Sequence, residues 1–109
     1  MAEAYKNAYL DITSSGQTIY TAPGATTSIV FSLRVTNIDG ANSDSVTVDV
    51  VDATTGGSKI AHTILVPADS TLSITGQDKI VLETGDSIQI TGVNASGDLQ
   101  AFASILEIT

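Results

Sequence analysis

The residues of this sequence that could take part in catalysis are few and far apart. Nucleophilic catalysis needs a nucleophile, a base and an orienting group within hydrogen-bond reach, and the single imidazole of the chain is His62. It lies in the run Ile60-Ala61-His62-Thr63-Ile64, which has no catalytic motif around it. We interpret His62 as a partly buried strand residue sharing a face with Ile60 and Ile64, or as a subunit-contact residue. We therefore predict that the protein is not an enzyme.

Carboxylates are more numerous, and three of the twelve stand beside turn glycines. In Asp39-Gly40, Gly85-Asp86 and Gly97-Asp98 the side chain is expected to cap a turn by accepting backbone hydrogen bonds. The segment from Asp39 to Asp44 also concentrates oxygen-bearing side chains. It lacks the glycine at the sixth position and the closing Glu of a calcium-binding EF-hand loop, so we interpret it as a hairpin loop. We predict no metal site and no cofactor.

Aromatic side chains are the remaining candidates for a binding surface. Tyr5 and Tyr9 fall on one face of the first predicted strand, where they could pack, contact a subunit or stack against a sugar. The sequence has no Trp, the usual residue of a sugar platform. We expect Phe31 and Phe102 to lie in the core.

The elements that must position these residues are strands, because Val, Ile and Thr are abundant and apolar residues alternate with polar ones. In Ile29–Thr36 the alternation predicts that Phe31, Leu33 and Val35 point inward and that Arg34 lies on the opposite face. Turn signals recur at short intervals. The predicted strands are 5–13, 17–21, 28–37, 45–52, 58–66, 70–75, 79–83, 86–92 and 98–108. This pattern predicts an all-β fold, an antiparallel β-sandwich or jelly roll of eight or nine short strands, as one domain over residues 1–109.

Two segments suggest contacts with other chains. Residues 99–108 are apolar on both faces, so we expect a central strand covered on both sides, or one covered by a neighbouring subunit. Residues 1–12 are too apolar for a free tail, and we expect a strand of the domain or an arm on a neighbouring chain. The candidate contact residues are Tyr5, Tyr9, Leu10, Ile12, Phe102 and Leu106.

Charge and composition exclude several classes of partner. The formal net charge of −8, with only four basic residues, argues against nucleic acid, whose phosphates require Lys and Arg. No stretch approaches the 18 apolar residues of a membrane helix, and we expect no membrane partner. The absence of Cys excludes disulfides and thiolate zinc sites and fits synthesis in a reducing cytoplasm.

A series of motifs resembles a family of viral proteins. They are Ile19-Tyr20-Thr21-Ala22-Pro23-Gly24, Leu33-Arg34-Val35-Thr36-Asn37-Ile38-Asp39-Gly40, Ile64-Leu65-Val66-Pro67-Ala68-Asp69-Ser70-Thr71-Leu72, Lys79-Ile80-Val81-Leu82-Glu83-Thr84-Gly85-Asp86-Ser87-Ile88 and Ser104-Ile105-Leu106-Glu107-Ile108. In this order they resemble small virion structural proteins of tailed bacteriophages, especially marine and cyanobacterial ones, over residues 17–109. The resemblance implies a β-sandwich that assembles with its own copies or with a shell protein, and it implies no catalytic residues.

The function expected from this resemblance is that of a capsid decoration or cement protein, which stabilises the shell by bridging capsomers. Such a protein would be made in the bacterial host cytoplasm and reside in the virion. Its partners would be further copies of itself, as in a trimer, and the major capsid protein or another virion protein. Two alternatives remain open: a tail, neck or fibre component, and, in a different class, an adhesion or carbohydrate-binding module that uses loop acids with Ca²⁺ or the N-terminal Tyr pair.

Overall fold

The computed structural model describes residues 3–54, 56–76, 78–93 and 96–109. Each predicted strand is present there, with ends that differ from the prediction by at most two residues. The strands are β1 Glu3–Thr13, β2 Gln17–Thr21, β3 Thr27–Asn37, β4 Asp44–Asp52, β5 Gly56–Val66, β6 Thr71–Ser73, β7 Ile80–Leu82, β8 Ser87–Gly92 and β9 Ser96–Ile108. No helix in these ranges is long and apolar enough to cross a membrane.

The strands form two antiparallel sheets that pack face to face. In sheet A the order is β1-β9-β3-β6, and β7 pairs with the other end of β3. In sheet B the order is β2-β8-β4-β5. The prediction of an antiparallel β-sandwich is therefore confirmed.

The core lies between the two sheets and consists of aliphatic side chains, as the alternating pattern requires. Sheet A contributes Ile12, Val30, Leu33, Val35, Leu82, Leu99 and Ile105, among others, and sheet B contributes Val46, Val48, Val66, Ile88 and Ile90. All of these residues are completely buried. No aromatic ring is among the fully buried side chains of the described residues, so the prediction that Phe31 and Phe102 lie in the core is wrong.

A bulge in β3 explains the position of Phe31. The pairing of β3 with β9 shifts between Val30 and Ser32, so Phe31 is an extra residue and the two-residue repeat changes phase. Val30 then points inward together with Leu33 and Val35, while Phe31 lies on the exposed face. The inward positions of Leu33 and Val35 and the outward position of Arg34 are confirmed.

Strand β9 is central in sheet A, between β1 and β3. Its odd-numbered residues from Leu99 to Glu107 are buried, and Phe102, Ser104 and Leu106 on its other face are only half-buried. Within the described chain one face of β9 is therefore covered by sheet B and the other is not covered by any layer. The prediction of a central strand is confirmed, whereas coverage of both faces within the domain is wrong.

The N-terminal segment is a strand of its own domain. Strand β1 pairs with β9 along its whole length, from Glu3 opposite Ile108 to Thr13 opposite Ser96. The described part of residues 1–12, from residue 3, is thus a strand of sheet A, and its role in a contact with another chain stays a prediction. Deleting this segment would remove a sheet strand, so single substitutions on its exposed face are the better test of a contact role.

A polar cluster links the two sheets at one end of the sandwich. Tyr20 of β2 donates a hydrogen bond of 2.5 Å from its hydroxyl to Oε2 of Glu107 in β9, and Nζ of Lys6 lies 3.1 Å from Oε1 of the same carboxylate. The hydroxyls of Tyr20 and Ser28 are 2.7 Å apart. Because the phenol has one proton and gives it to Glu107, Ser28 is the donor in this second bond.

The cluster shifts the pKa values of its two acids in opposite directions. The hydrogen bond from Tyr20, with further help from Lys6, lowers the pKa of Glu107 below its usual value, although Glu107 is only 7% exposed. Burial, followed by the hydrogen bond to Glu107, raises the pKa of Tyr20 to about 12. The folded state thus favours an ionised Glu107 next to a neutral Tyr20.

Candidate functional site

The outer face of sheet A carries a group of exposed aromatic and aliphatic side chains. Because cross-strand neighbours on one face lie side by side, the register determines which residues of this face meet. The face divides into two regions of different chemistry, one toward each end of the strands. Tyr5 belongs to the first region and Tyr9 to the second, and four residues of strand separate them by roughly 13 Å along β1.

The first region is an apolar row that crosses four strands. Tyr5 lies opposite Leu106, Leu106 opposite Ile29, and Ile29 opposite Val81. Phe31, turned outward by the bulge, contacts Tyr5 edge to face with ring centroids 6.0 Å apart. Tyr5 and Val81 are 76% and 60% exposed. We refer to Tyr5, Ile29, Phe31, Val81 and Leu106 as the apolar row.

The second region is a shallow groove of about 680 Å³ on the same face. The rings of Tyr9 and Phe102 lie opposite each other and nearly parallel, with centroids 6.2 Å apart and planes 8° apart. On the other side of Phe102 in the register, the guanidinium of Arg34 lies 5.3 Å from its ring centroid, a cation–π contact. We refer to this region as the aromatic groove.

Polar side chains complete the lining of the aromatic groove. Gln100 donates from Nε2 to Oδ1 of Asp11 at 3.1 Å, and the hydroxyl of Thr36 bonds that of Thr71 at 3.0 Å. Together with Arg34, the groove therefore offers both donors and acceptors beside an aromatic surface.

The predicted contact residues divide between the face and the core. Tyr5, Tyr9, Phe102 and Leu106 lie on the outer face of sheet A. Ile12 is completely buried in the domain's own core and Leu10 is packed against that core. A contact role for Ile12 is thus corrected by the structure, because its side chain points away from the face that carries the two tyrosines.

Several residues of this surface are missing from the sequence-based prediction, among them Phe31, which was expected in the core. Ile29 and Val81 join the apolar row only through cross-strand pairing, and Arg34 is recognisable from the sequence only as an outward-facing residue. For Ile29 and Arg34 a signal existed in the apolar character of both faces of β9, since these two residues are cross-strand neighbours of its outer face.

Strand β5, the edge of sheet B that contains His62, is a weaker candidate surface. His62 is exposed, so the expected partial burial of this residue is wrong. The strand also exposes three aliphatic side chains, those of Ile60, Ile64 and Leu65. Thr63 has a positive φ of 45°, and the pairing with β4 shifts next to it. This interruption separates His62 from Ile64, and the expected regular strand face with Ile60 and Ile64 is not formed.

The acidic loops bind their own backbone. Asp39 accepts hydrogen bonds from the amides of Ala41 and Asn42 at 2.8 and 3.1 Å, and these bonds lower the pKa of its carboxyl. Asp86 accepts hydrogen bonds from the amides of Glu83 and Ala53. The turn-capping role predicted for these two residues is confirmed. Among the described residues no group of three or more acidic or His side chains is arranged to hold a metal ion.

We predict from this arrangement that folding does not depend on divalent cations. The oxygens of Asp39 already accept backbone hydrogen bonds, which Ca²⁺ would have to displace. Thermal melts in EDTA and in millimolar Ca²⁺ should coincide. A marked rise of the melting temperature with Ca²⁺ would contradict this prediction.

Comparison with known proteins gives a fold but no family. No protein-family model matches the sequence, and no curated protein matches it significantly. Among solved structures the chain is similar to one described as "Bacillus endospore appendages form a novel family of disulfide-linked pili", with a TM-score of 0.58, 15% identity, and coverage of 99% of this chain and 87% of that chain.

Two viral structures are matched with lower TM-scores. A pentameric capsid protein isolated from metagenomic phage sequences has a TM-score of 0.44 and 19% identity, over 91% of this chain and 60% of that chain. The infectious bursal disease virus Gx strain structure has a TM-score of 0.43 and 12% identity, over 97% of this chain and 31% of that chain. The chain thus spans less than two thirds of either viral protein. The likeness to the spore appendage structure shows that the sandwich of sheets A and B is a known fold.

Proposed function

We propose that this chain is a structural protein of a virus particle, a capsid decoration or cement protein of a tailed phage, and that the apolar row on the outer face of sheet A is its contact surface. The observation that carries the proposal is the apolar row. Exposed apolar residues are common singly, but a contiguous group on one sheet face is typical of an interaction surface.

The geometry of the apolar row suits a contact between rigid surfaces. Its members stand on four paired strands, so little backbone entropy would be lost on binding. Tyr and Phe are enriched in the buried centres of interfaces, where they supply large contact areas. The half-buried Leu106 and Ile29 occupy the middle of the row, with the more exposed Tyr5 and Val81 at its ends.

The strand order is a second support. Strands β1 to β4 alternate between sheet A and sheet B along the chain. Later in the chain, β8 lies between β2 and β4 in sheet B, and β9 lies between β1 and β3 in sheet A. We interpret this order as that of a double-sheet jelly roll, an architecture used by viral capsid and lectin domains. A shared fold does not imply a shared function, so the proposal rests on the apolar row and on the sequence resemblance to virion proteins.

The chemistry of assembly would be noncovalent. The sequence has no cysteine, so copies of this chain cannot be joined by disulfides as in the pili named above. We propose that the apolar row contacts other copies or the major capsid protein, and that burial of this row stabilises the assembled shell by mass action.

A matched pair of substitutions tests the contact surface. Val81→Asp should weaken association at least about tenfold, because an unpaired carboxylate in an apolar contact costs more than about 1.4 kcal/mol. Val93 is the control, since it is 51% exposed but lies outside the apolar row. Sedimentation equilibrium over a range of concentrations measures self-association, and co-sedimentation with purified shells measures shell binding.

The two variants must behave differently for the proposal to stand. Equal loss with Val93→Asp would indicate a general charge effect, and full association of Val81→Asp would exclude the apolar row as the contact. The virion role itself predicts many copies of the chain in purified particles, which quantitative mass spectrometry can count. Absence of the chain from those particles would contradict it.

A further inference from the structure

The aromatic groove contains a charged group whose partners do not explain its position. Within the described ranges Arg34 forms no salt bridge, and its guanidinium lies against the ring of Phe102. The other three basic residues of the sequence are lysines. Two of them, Lys6 and Lys59, are paired with carboxylates. Arg34 thus keeps its hydrogen-bond donors available at the surface of the groove.

The opposite wall of the groove has complementary chemistry. Tyr9 is 76% exposed on the edge strand, and its ring stacks on Phe102 on one side only, so its other face is available to a ligand. Asp11 accepts a hydrogen bond from Gln100 at Oδ1, which orients the carboxylate and leaves Oδ2 able to accept another. One carboxylate and one guanidinium give the groove no net formal charge.

We propose that the aromatic groove binds a neutral saccharide. The apolar C–H face of a pyranose ring would stack on the exposed face of Tyr9, as flat apolar surfaces do on aromatic rings. Ring hydroxyls, which both donate and accept, would bond to Arg34, Asp11 and Gln100. A neutral ligand is favoured over an acidic one because the chain carries a net charge of −8 and Asp11 lies in the groove.

The saccharide site is independent of the proposed assembly role. The apolar row and the aromatic groove lie at different ends of the strands, so the row can be covered by a neighbour while the groove faces solvent. In that arrangement a weak single site would be repeated on every copy, and repetition raises overall affinity for a glycan-coated surface by increasing the effective concentration.

The test is an NMR titration of the isotope-labelled full chain with neutral oligosaccharides built from glucose, galactose or N-acetylglucosamine. An oligogalacturonate serves as the acidic comparison. We expect saturable amide shifts confined to the neighbourhood of Tyr9, Arg34 and Phe102 with at least one neutral probe. Tyr9→Ala and Arg34→Met should each weaken that binding by about tenfold, the loss expected for one stacking or charged hydrogen-bond contact.

Tyr5→Ala is the matched control, because Tyr5 has the same exposure on the same strand but belongs to the apolar row. It should leave saccharide binding unchanged. The proposal is overturned if no neutral probe gives saturable shifts, if the galacturonate binds more tightly than the neutral probes, or if Tyr5→Ala weakens binding as much as Tyr9→Ala. Val81→Asp should reduce assembly without affecting these shifts, which separates failure of this site from failure of the contact surface.

Discussion

Leu33→Ala is expected to lower the free energy of unfolding by about 2–5 kcal/mol, the range found when a large aliphatic side chain is removed from a packed core. Leu33 is completely buried between the sheets, on the central part of β3. Its neighbours are held in two hydrogen-bonded sheets and can close around the resulting cavity only in part. Urea-induced unfolding followed by circular dichroism measures the change.

Phe31→Ala is the control for this prediction, because it removes a larger side chain from the same strand. The ring of Phe31 lies on the outer face and makes an edge-to-face contact with Tyr5, so we expect a loss of about 1 kcal/mol, close to the value of one aromatic pair. If Phe31→Ala costs as much as Leu33→Ala, the bulge does not turn Phe31 outward and the phase of β3 is that of a regular strand.

Tyr20→Phe is expected to destabilise the protein by about 1.5–3 kcal/mol, the net value of a hydrogen bond to a charged group. The substitution keeps the ring but removes the hydroxyl that bonds Oε2 of Glu107. Among the described residues the buried carboxylate then keeps Lys6 as its partner. Tyr9→Phe is the control, since the exposed hydroxyl of Tyr9 makes no hydrogen bond within the described part of the chain. A comparable loss there would contradict the role of the cluster.

The pH dependence of stability gives the same cluster a second signature. Glu107 has a lowered pKa in the folded state, so its contribution is present above the unfolded value of about 4.3 and is lost as the pH falls through the folded pKa. Tyr20 has a pKa raised from 10.0 to about 12, so its contribution is present below pH 10.0 and is lost as the pH rises toward about 12. Tyr20→Phe should flatten this alkaline loss, and an unchanged alkaline profile would contradict the assignment.

The strands were predictable because they depend on local patterns. Alternation in segments such as Val46–Val50 and the turn chemistry of residues such as Asp39 and Asp86 determine where each strand begins and ends. The phase of β3 was not, because a regular strand would place Ile29 and Phe31 on the same apolar face as Leu33 and Val35, and nothing in this local pattern indicates a bulge. Only the β9 partner, about 70 residues further along the chain, reveals the bulge.

The candidate surface was predictable in part for the same reason. The two strand segments 1–12 and 99–108 carry more apolar residues than a strand with one buried face requires. Four of the predicted contact residues lie in these segments: Tyr5, Tyr9, Phe102 and Leu106. The alignment of Leu106 with Ile29 and Val81 depends on the topology of sheet A, which strand lengths alone do not determine. The contact of Tyr20 with Glu107, 87 positions apart, likewise requires the fold.

The location of β9 in sheet A also affects the order in which the protein folds. Strands β4 and β5 are neighbours in the sequence and β8 joins them, so sheet B can form while β9 is still absent. In the described chain β1 pairs with no strand other than β9, and it must wait for a partner synthesised about 90 residues later. We therefore expect sheet A to close last, by insertion of β9 between β1 and β3. Until that step the tyrosines of β1 and the open edge of β3 are exposed together, and this nascent state is the one in which we expect chaperones to be needed most.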